Sequence, residues 1–184
     1  MIVSGVAAAI EQRQQYTSRV AFFVRYVAAL VLVLGLSDPR PPGGGDHAPP
    51  LELETLDGRA FPRASLEGGA TVIQFFATWC GPCHRALADL ADVQARLPVR
   101  ARLVVISVGE DAPVVKRFLA EHPLPAGSEI ALDRRGATAR AWGQDRFPTT
   151  FLVDGGGVIR HINRGWGSGY AERMLRWLRP MVSP

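Results

Sequence analysis

Residues 78–84 read Thr78-Trp79-Cys80-Gly81-Pro82-Cys83-His84, and this heptapeptide admits two chemistries. As C-x-x-C-H it is the attachment signature of a c-type haem, with two thiols for the vinyl groups and His84 as axial ligand; as W-C-G-P-C it is a dithiol redox site. The flanking sequence separates them. Upstream, "ATVIQFFATW" is a β-branched and aromatic run that predicts a buried strand over Ala70–Ala77. Downstream, Leu87, Leu90, Ala91, Val93 and Leu97 recur at helical spacing and predict a helix over Cys83–Leu97, ending before Pro98. The cysteines therefore sit where a strand hands over to a helix. A haem needs a wide pocket and usually a second axial ligand, yet Met174 and Met181 fall in or just after a predicted C-terminal helix. A buried strand running straight into the first cysteine is a poor setting for a porphyrin.

A redox dithiol suits the same setting. At the head of a helix, unpaired backbone N–H groups and the positive end of the helix dipole favour a thiolate, so Cys80 is the expected nucleophile. Cys83 lies one turn on, within reach of a disulfide, and Pro82 stiffens the turn between them. These are the only two cysteines, which excludes a multi-disulfide scaffold and a four-thiolate zinc site. His47, His84, His122 and His161 stand far apart, and no metal site is expected. The net charge is +4, but the basic residues, all arginine except Lys116, are scattered rather than gathered in a run, and no nucleic-acid partner is implied. A Cu(I)-binding or copper-delivery module remains the alternative use of two thiols, although their two-residue spacing argues against it.

Around this centre the chain divides into four parts. Residues 1–19 form an N-terminal cytoplasmic segment. Residues 20–36, "VAFFVRYVAALVLVLGL", follow Arg13 and Arg19 and read as a single-pass membrane anchor or as the apolar core of a signal peptide cleaved near Gly35-Leu36-Ser37. The arginines keep the N-terminus inside, so either reading exports the remainder. Residues 37–50, with five Pro and three Gly in fourteen positions, read as a linker. Residues 51–184 then form the folded domain. "LELETLDGRAFP" alternates around Asp57-Gly58 and predicts a hairpin. Strands "ARLVVISVG", "EIALD", "TTFLVD" and "GVIRHINRG" and helices "DAPVVKRFLAEH", "RRGATARAW" and "SGYAERMLRWLRP" follow, the last with Ser168 as its N-cap and Pro180 as its stop. That order implies an α/β fold with a mixed sheet between helical layers.

The motifs "LDGRAF", "VIQFFATWCGPC", "LVVISVGEDAPVVKRFL", "IALDRRGATARAWG", "FPTTFLVDGGGVI" and "RGWG" together resemble the membrane-tethered, TlpA/ResA-like disulfide reductases of the thioredoxin fold, over about Leu51–Leu178. The resemblance implies a thioredoxin-like α/β/α sandwich with an N-terminal β-hairpin and a cis peptide bond before Pro148, facing the dithiol. It also implies an extracytoplasmic location at the bacterial inner membrane, a protein disulfide as substrate, a membrane thiol as electron donor, and no bound cofactor. Trp79, Phe147, Pro148 and Thr149 are the expected substrate contacts, with Phe147 read either as an apolar contact or as ordinary core. Gly81, Pro82, Gln74 and His84 are the expected supporting residues. Gln74 stands where thioredoxins carry a buried Asp, and Ala86 and Ala88 replace the Glu and Pro often found in reductases serving cytochrome c maturation. His84 reads as a surface residue or as a cation beside the thiolate.

Overall fold

The run of six residues before the active cysteine forms β2 (Thr71–Phe76), every residue of which is buried. It is buried throughout because it is central: β3 (Arg102–Val108) pairs with it in parallel and β5 (Thr149–Val153) antiparallel. β4 (Glu129–Asp133) adds in parallel to β3, β6 (Ile159–Arg164) antiparallel to β5, and β1 (Glu54–Thr55) antiparallel to β4, giving the order β1-β4-β3-β2-β5-β6. The computed structural model describes residues 40–61, 66, 68–96, 101–124 and 126–182. The expected membrane span, residues 20–36, lies outside them. No helix among the described residues is long and apolar enough to cross a membrane.

Each parallel step needs a crossover, and helices supply both: α1 (Gly81–Ala95) links β2 to β3, and α2 (Ala112–Glu121), with Pro113 in its first turn, links β3 to β4. The period-two alternation of strand side chains then divides the core. Val72, Phe76, Leu103, Val105 and Leu152 face α1, α2 and the C-terminal helix α4 (Tyr170–Val182). Ile73, Phe75, Val104, Ile106 and Phe151 face the other way, against Trp142 at the end of the short helix α3 (Ala137–Ala141) and against Leu51, Leu53 and Phe61. Phe75, Trp142 and Phe151 meet edge-on or tilted at 5.0–5.9 Å, the favoured arrangement for aromatic quadrupoles. The result is the three-layer sandwich that the sequence predicts.

The expected N-terminal hairpin is present in minimal form. Gly58, at φ 83°, makes the turn, Thr55 and Phe61 donate to Arg59 and Leu53, and Glu54 bridges Ala60. Two expectations for α4 are corrected. Ser168 is not its N-cap: the helix starts at Tyr170 behind Gly169, whose φ of 68° suits glycine at the turn. Nor does Pro180 stop it, because a proline in the final turn forfeits a single intrahelical bond while Met181 and Val182 continue to pack on the core.

Part of the Pro/Gly-rich segment also belongs to the folded unit, which runs Pro41–Pro184. Gly45 N–H donates to Ile159 at 2.7 Å, Ile159 to Asp46 at 2.9 Å, and Ala48 to Gly157 at 2.8 Å, while the Asp46 carboxylate takes the Gly43 N–H at 2.8 Å. Prolines cannot donate to a ladder, but the donors an edge requires come from Gly45 and Ala48, between the proline pairs. The linker thus closes as a strap along the start of β6.

Candidate active site

β2 ends at Phe76, and Cys80 is the N-cap of α1, with extended backbone (φ −88°, ψ 97°). Its sulfur accepts the Cys83 N–H at 3.3 Å, and its carbonyl accepts the same N–H at 2.9 Å. This N–H in the first turn is shared between the carbonyl and Sγ, and a donor near the sulfur at the positive end of a helix favours a thiolate there. Cys80 and Cys83 form a disulfide across a Cα–Cα distance of 5.2 Å. Cys83 is fully buried at 0%, whereas Cys80 keeps 5% exposure between the exposed Trp79 (72%), Gly81 and Pro82. Of the two cysteines only Cys80 retains any exposure, at the edge of the core, and Cys83 is enclosed behind it.

The junction itself is clamped. Glu110, just after β3, accepts the Thr78 N–H at 2.9 and 3.2 Å and the Thr78 hydroxyl at 2.5 Å, and it takes the Ser107 hydroxyl at 2.7 Å. From α1, His84 Nε2–H donates to the Thr78 carbonyl at 2.7 Å. Its ring packs against Phe118 and His122, at 4.9 and 5.0 Å between centroids. His84 is half-buried and ties the loop in place. Glu110 was not expected from the sequence: a lone acid after "VISVG" carries no motif, and its partner lies 32 residues away.

The Phe147-Pro148 peptide bond is cis, as the resemblance implies. The pairing of Phe75 with Thr149 sets this bend beside the C-terminal end of β2, and Phe147 meets Trp79 edge to face at 5.6 Å. Phe147 is half-buried against both core clusters and touches the exposed indole next to Cys80. Thr149 is buried, and its hydroxyl donates to the Arg146 carbonyl at 2.7 Å, closing the bend from within. Gly165 N–H donates to the Pro148 carbonyl at 2.7 Å and fastens the neighbouring loop.

Gln74 lies buried on β2, on the sheet face that carries Cys83. Its Oε1 accepts from the Thr150 and Tyr170 hydroxyls, both at 2.8 Å, and these two oxygens are 2.6 Å apart. Burial raises the Tyr170 phenol above its usual pKa, so this ring of oxygens is uncharged at neutral pH. The Gln74 Nε2 group has no partner among the described residues. An ionisable proton acceptor is thus replaced by a neutral hydrogen-bonded group.

A disulfide at the head of a helix, its first cysteine at the edge of the core and its second fully enclosed, with a cis-proline bend at the end of the neighbouring strand of an α/β/α sandwich, defines a class: a thiol-disulfide oxidoreductase of the thioredoxin fold. Comparison with known proteins agrees. Residues 44–172 match the Redoxin family, and the chain belongs to it. A thiol:disulfide interchange protein DsbE homolog of Paracoccus denitrificans is 32% identical over 123 residues, 66% of either chain. The thiol-disulfide oxidoreductase ResA of Geobacillus thermodenitrificans is 29% identical over 122 residues, 66% of this chain and 69% of that one. The chain thus spans about two thirds of the length of these relatives. Among solved structures, a putative thiol:disulfide interchange protein DsbE from Chlorobium tepidum superposes with a TM-score of 0.69 at 25% identity, over 77% of this chain and 99% of that one.

Proposed function

We propose that the protein is an extracytoplasmic, membrane-tethered reductase of protein disulfides. The observation that carries this reading is the asymmetry of the two sulfurs: Cys80 at the helix head with a donor on its sulfur, Cys83 sealed behind it. In the reduced protein the Cys80 thiolate attacks a substrate disulfide, forming a mixed disulfide and releasing one substrate thiolate, which takes up a proton. Deprotonated Cys83 then attacks Cys80 Sγ, the second substrate thiol leaves, and the Cys80–Cys83 bond closes, so two electrons have passed to the substrate. Trp79, Phe147 and Pro148 form the platform along which an extended segment lies, with the buried Thr149 bracing the bend beneath it, and the proline withholds an N–H from the thiols. Gly81 and Pro82 shape the turn, and Gln74 and His84 support it.

With no carboxylate at position 74, the proton leaving Cys83 is carried by water or substrate. Return to the dithiol requires a second thiol pair, and a membrane thiol donor fits a domain exported behind residues 20–36. The deciding experiment is trapping. Cys83→Ser in the full chain accumulates mixed disulfides through Cys80 that Cys80→Ser abolishes, and mass spectrometry identifies the partners; no adducts at all would refute the assignment. Equilibration with glutathione sets the direction, and a strongly oxidising dithiol would overturn the reductase reading.

A further inference from the structure

The cis-proline bend has a second wall. The loop fastened to Pro148 through Gly165 carries Trp166, which lies against α1: its Nε1–H donates to the Asp89 carboxylate at 2.8 Å, and the Arg85 guanidinium sits over its ring, 4.6 Å from the centroid. Asp89 is thereby engaged by the indole. Arg85, two residues beyond Cys83, is exposed and forms no salt bridge among the described residues. The other arginines bordering the bend differ, since Arg146 and Arg164 share Asp145 at 3.4 Å each. At the edge of the platform Arg85 is therefore a cation with no salt bridge among the described residues, held by stacking and with the donors in its plane available to a carboxylate.

We propose that Arg85, mounted on Trp166, determines substrate specificity by selecting disulfides with an acidic side chain close to the cysteine that Cys80 attacks. The occupant is an extended segment of a protein substrate, apolar where it meets Trp79 and Phe147 and anionic where it passes α1. This rests on the proposed exchange at Cys80 and names the substrate class that exchange serves.

The test uses three peptide disulfides of one length that differ only in Glu, Gln or Lys beside the cysteine, followed by stopped-flow fluorescence. The Glu peptide is expected to react about fivefold faster than the Gln peptide at low salt, the scale of one solvent-exposed ion pair. The ratio shrinks toward one at about 0.5 M salt. Arg85→Gln abolishes it, and Trp166→Phe, which keeps a ring under the guanidinium but releases Asp89 to pair with Arg85, lowers it. A wild-type ratio of one, a preference for Lys, or an unchanged ratio in Arg85→Gln overturns the proposal. So does an Arg85→Gln variant that slows all three peptides equally and shifts the glutathione equilibrium, because Arg85 would then act on the thiolate. The ratio is also read in the oxidising direction with the reduced peptides. A charge preference that persists there without reduction in the other direction overturns the reductase reading and leaves Arg85 as the selector.

Discussion

Glu110 illustrates how one side chain holds a reactive centre without touching it. Its carboxylate occupies the Thr78 N–H, the Thr78 hydroxyl and the Ser107 hydroxyl together. Glu110→Ala leaves these donors unpaired in a half-buried loop, and a loss of about 2–3 kcal/mol in urea unfolding is expected. The exchange rate at Cys80 should fall about tenfold, since a misplaced nucleophile is costly. Gln74 predicts the opposite: with its own amide nitrogen unpaired, Gln74→Leu removes a buried polar cost and lets Thr150 and Tyr170 bond each other. Its stability is expected to stay within about 1 kcal/mol of the parent. At this scale the sequence reveals what is local. Cys80, Cys83 and Pro148 sit in short motifs, whereas Glu110 and the Trp166–Asp89 bond depend on partners 32 and 77 residues away, which only the folded chain brings together.

At the scale of elements, the turn joining β5 to β6 turns on Asp154. Its Oδ1 accepts the Gly156 and Val158 N–H groups, both at 2.9 Å, and its Oδ2 takes Arg160 Nε at 2.6 Å. Desolvation works against the charge, but these donors outweigh it and hold the carboxyl below its ordinary range. Its contribution is therefore full above about pH 3.8 and lost as pH falls through the lower folded value. Asp154→Ala should cost about 1–2 kcal/mol in chemical unfolding at pH 7, and Asp154→Asn less, since an amide oxygen still accepts. His161 on β6 behaves differently. Stacked on Trp177 at 4.6 Å, it has its pKa lowered by burial, so it favours folding when neutral. Stability from this group is complete above about pH 6.5 and declines as pH drops toward the folded value; His161→Gln should flatten that part of a pH series of thermal melts. The strands and most helices were readable from β-branched runs and apolar periodicity. The start of α4 was not, because Ser168 carries a stronger capping signal than Gly169, and the left-handed turn at Gly169 decided the matter.

For the whole molecule, the sandwich was legible because strand and helix periods alternate cleanly, but the reach of the domain was not. Composition marks residues 37–50 as loose, and nothing local announces that Gly43–Ala48 will dock. Gly143 records that docking: at φ 62°, a Cβ there would lie 2.4 Å from Pro41 Cβ. Gly143→Ala is expected to lower stability by about 1–3 kcal/mol in urea melts, combining backbone strain with displacement of Pro41. A chain that lacks residues 1–42 already escapes the clash and should show only the strain.

The strap also guards a margin. Without it, the Ile159 amide and carbonyl and the Gly157 carbonyl would face outward as an open template to which a second chain's backbone can add. A protein trimmed to begin at Leu51 is therefore expected to self-associate as its concentration rises in sedimentation velocity, while one beginning at Pro41 sediments unchanged over the same range. Equal behaviour of the two would mean that this stretch protects nothing.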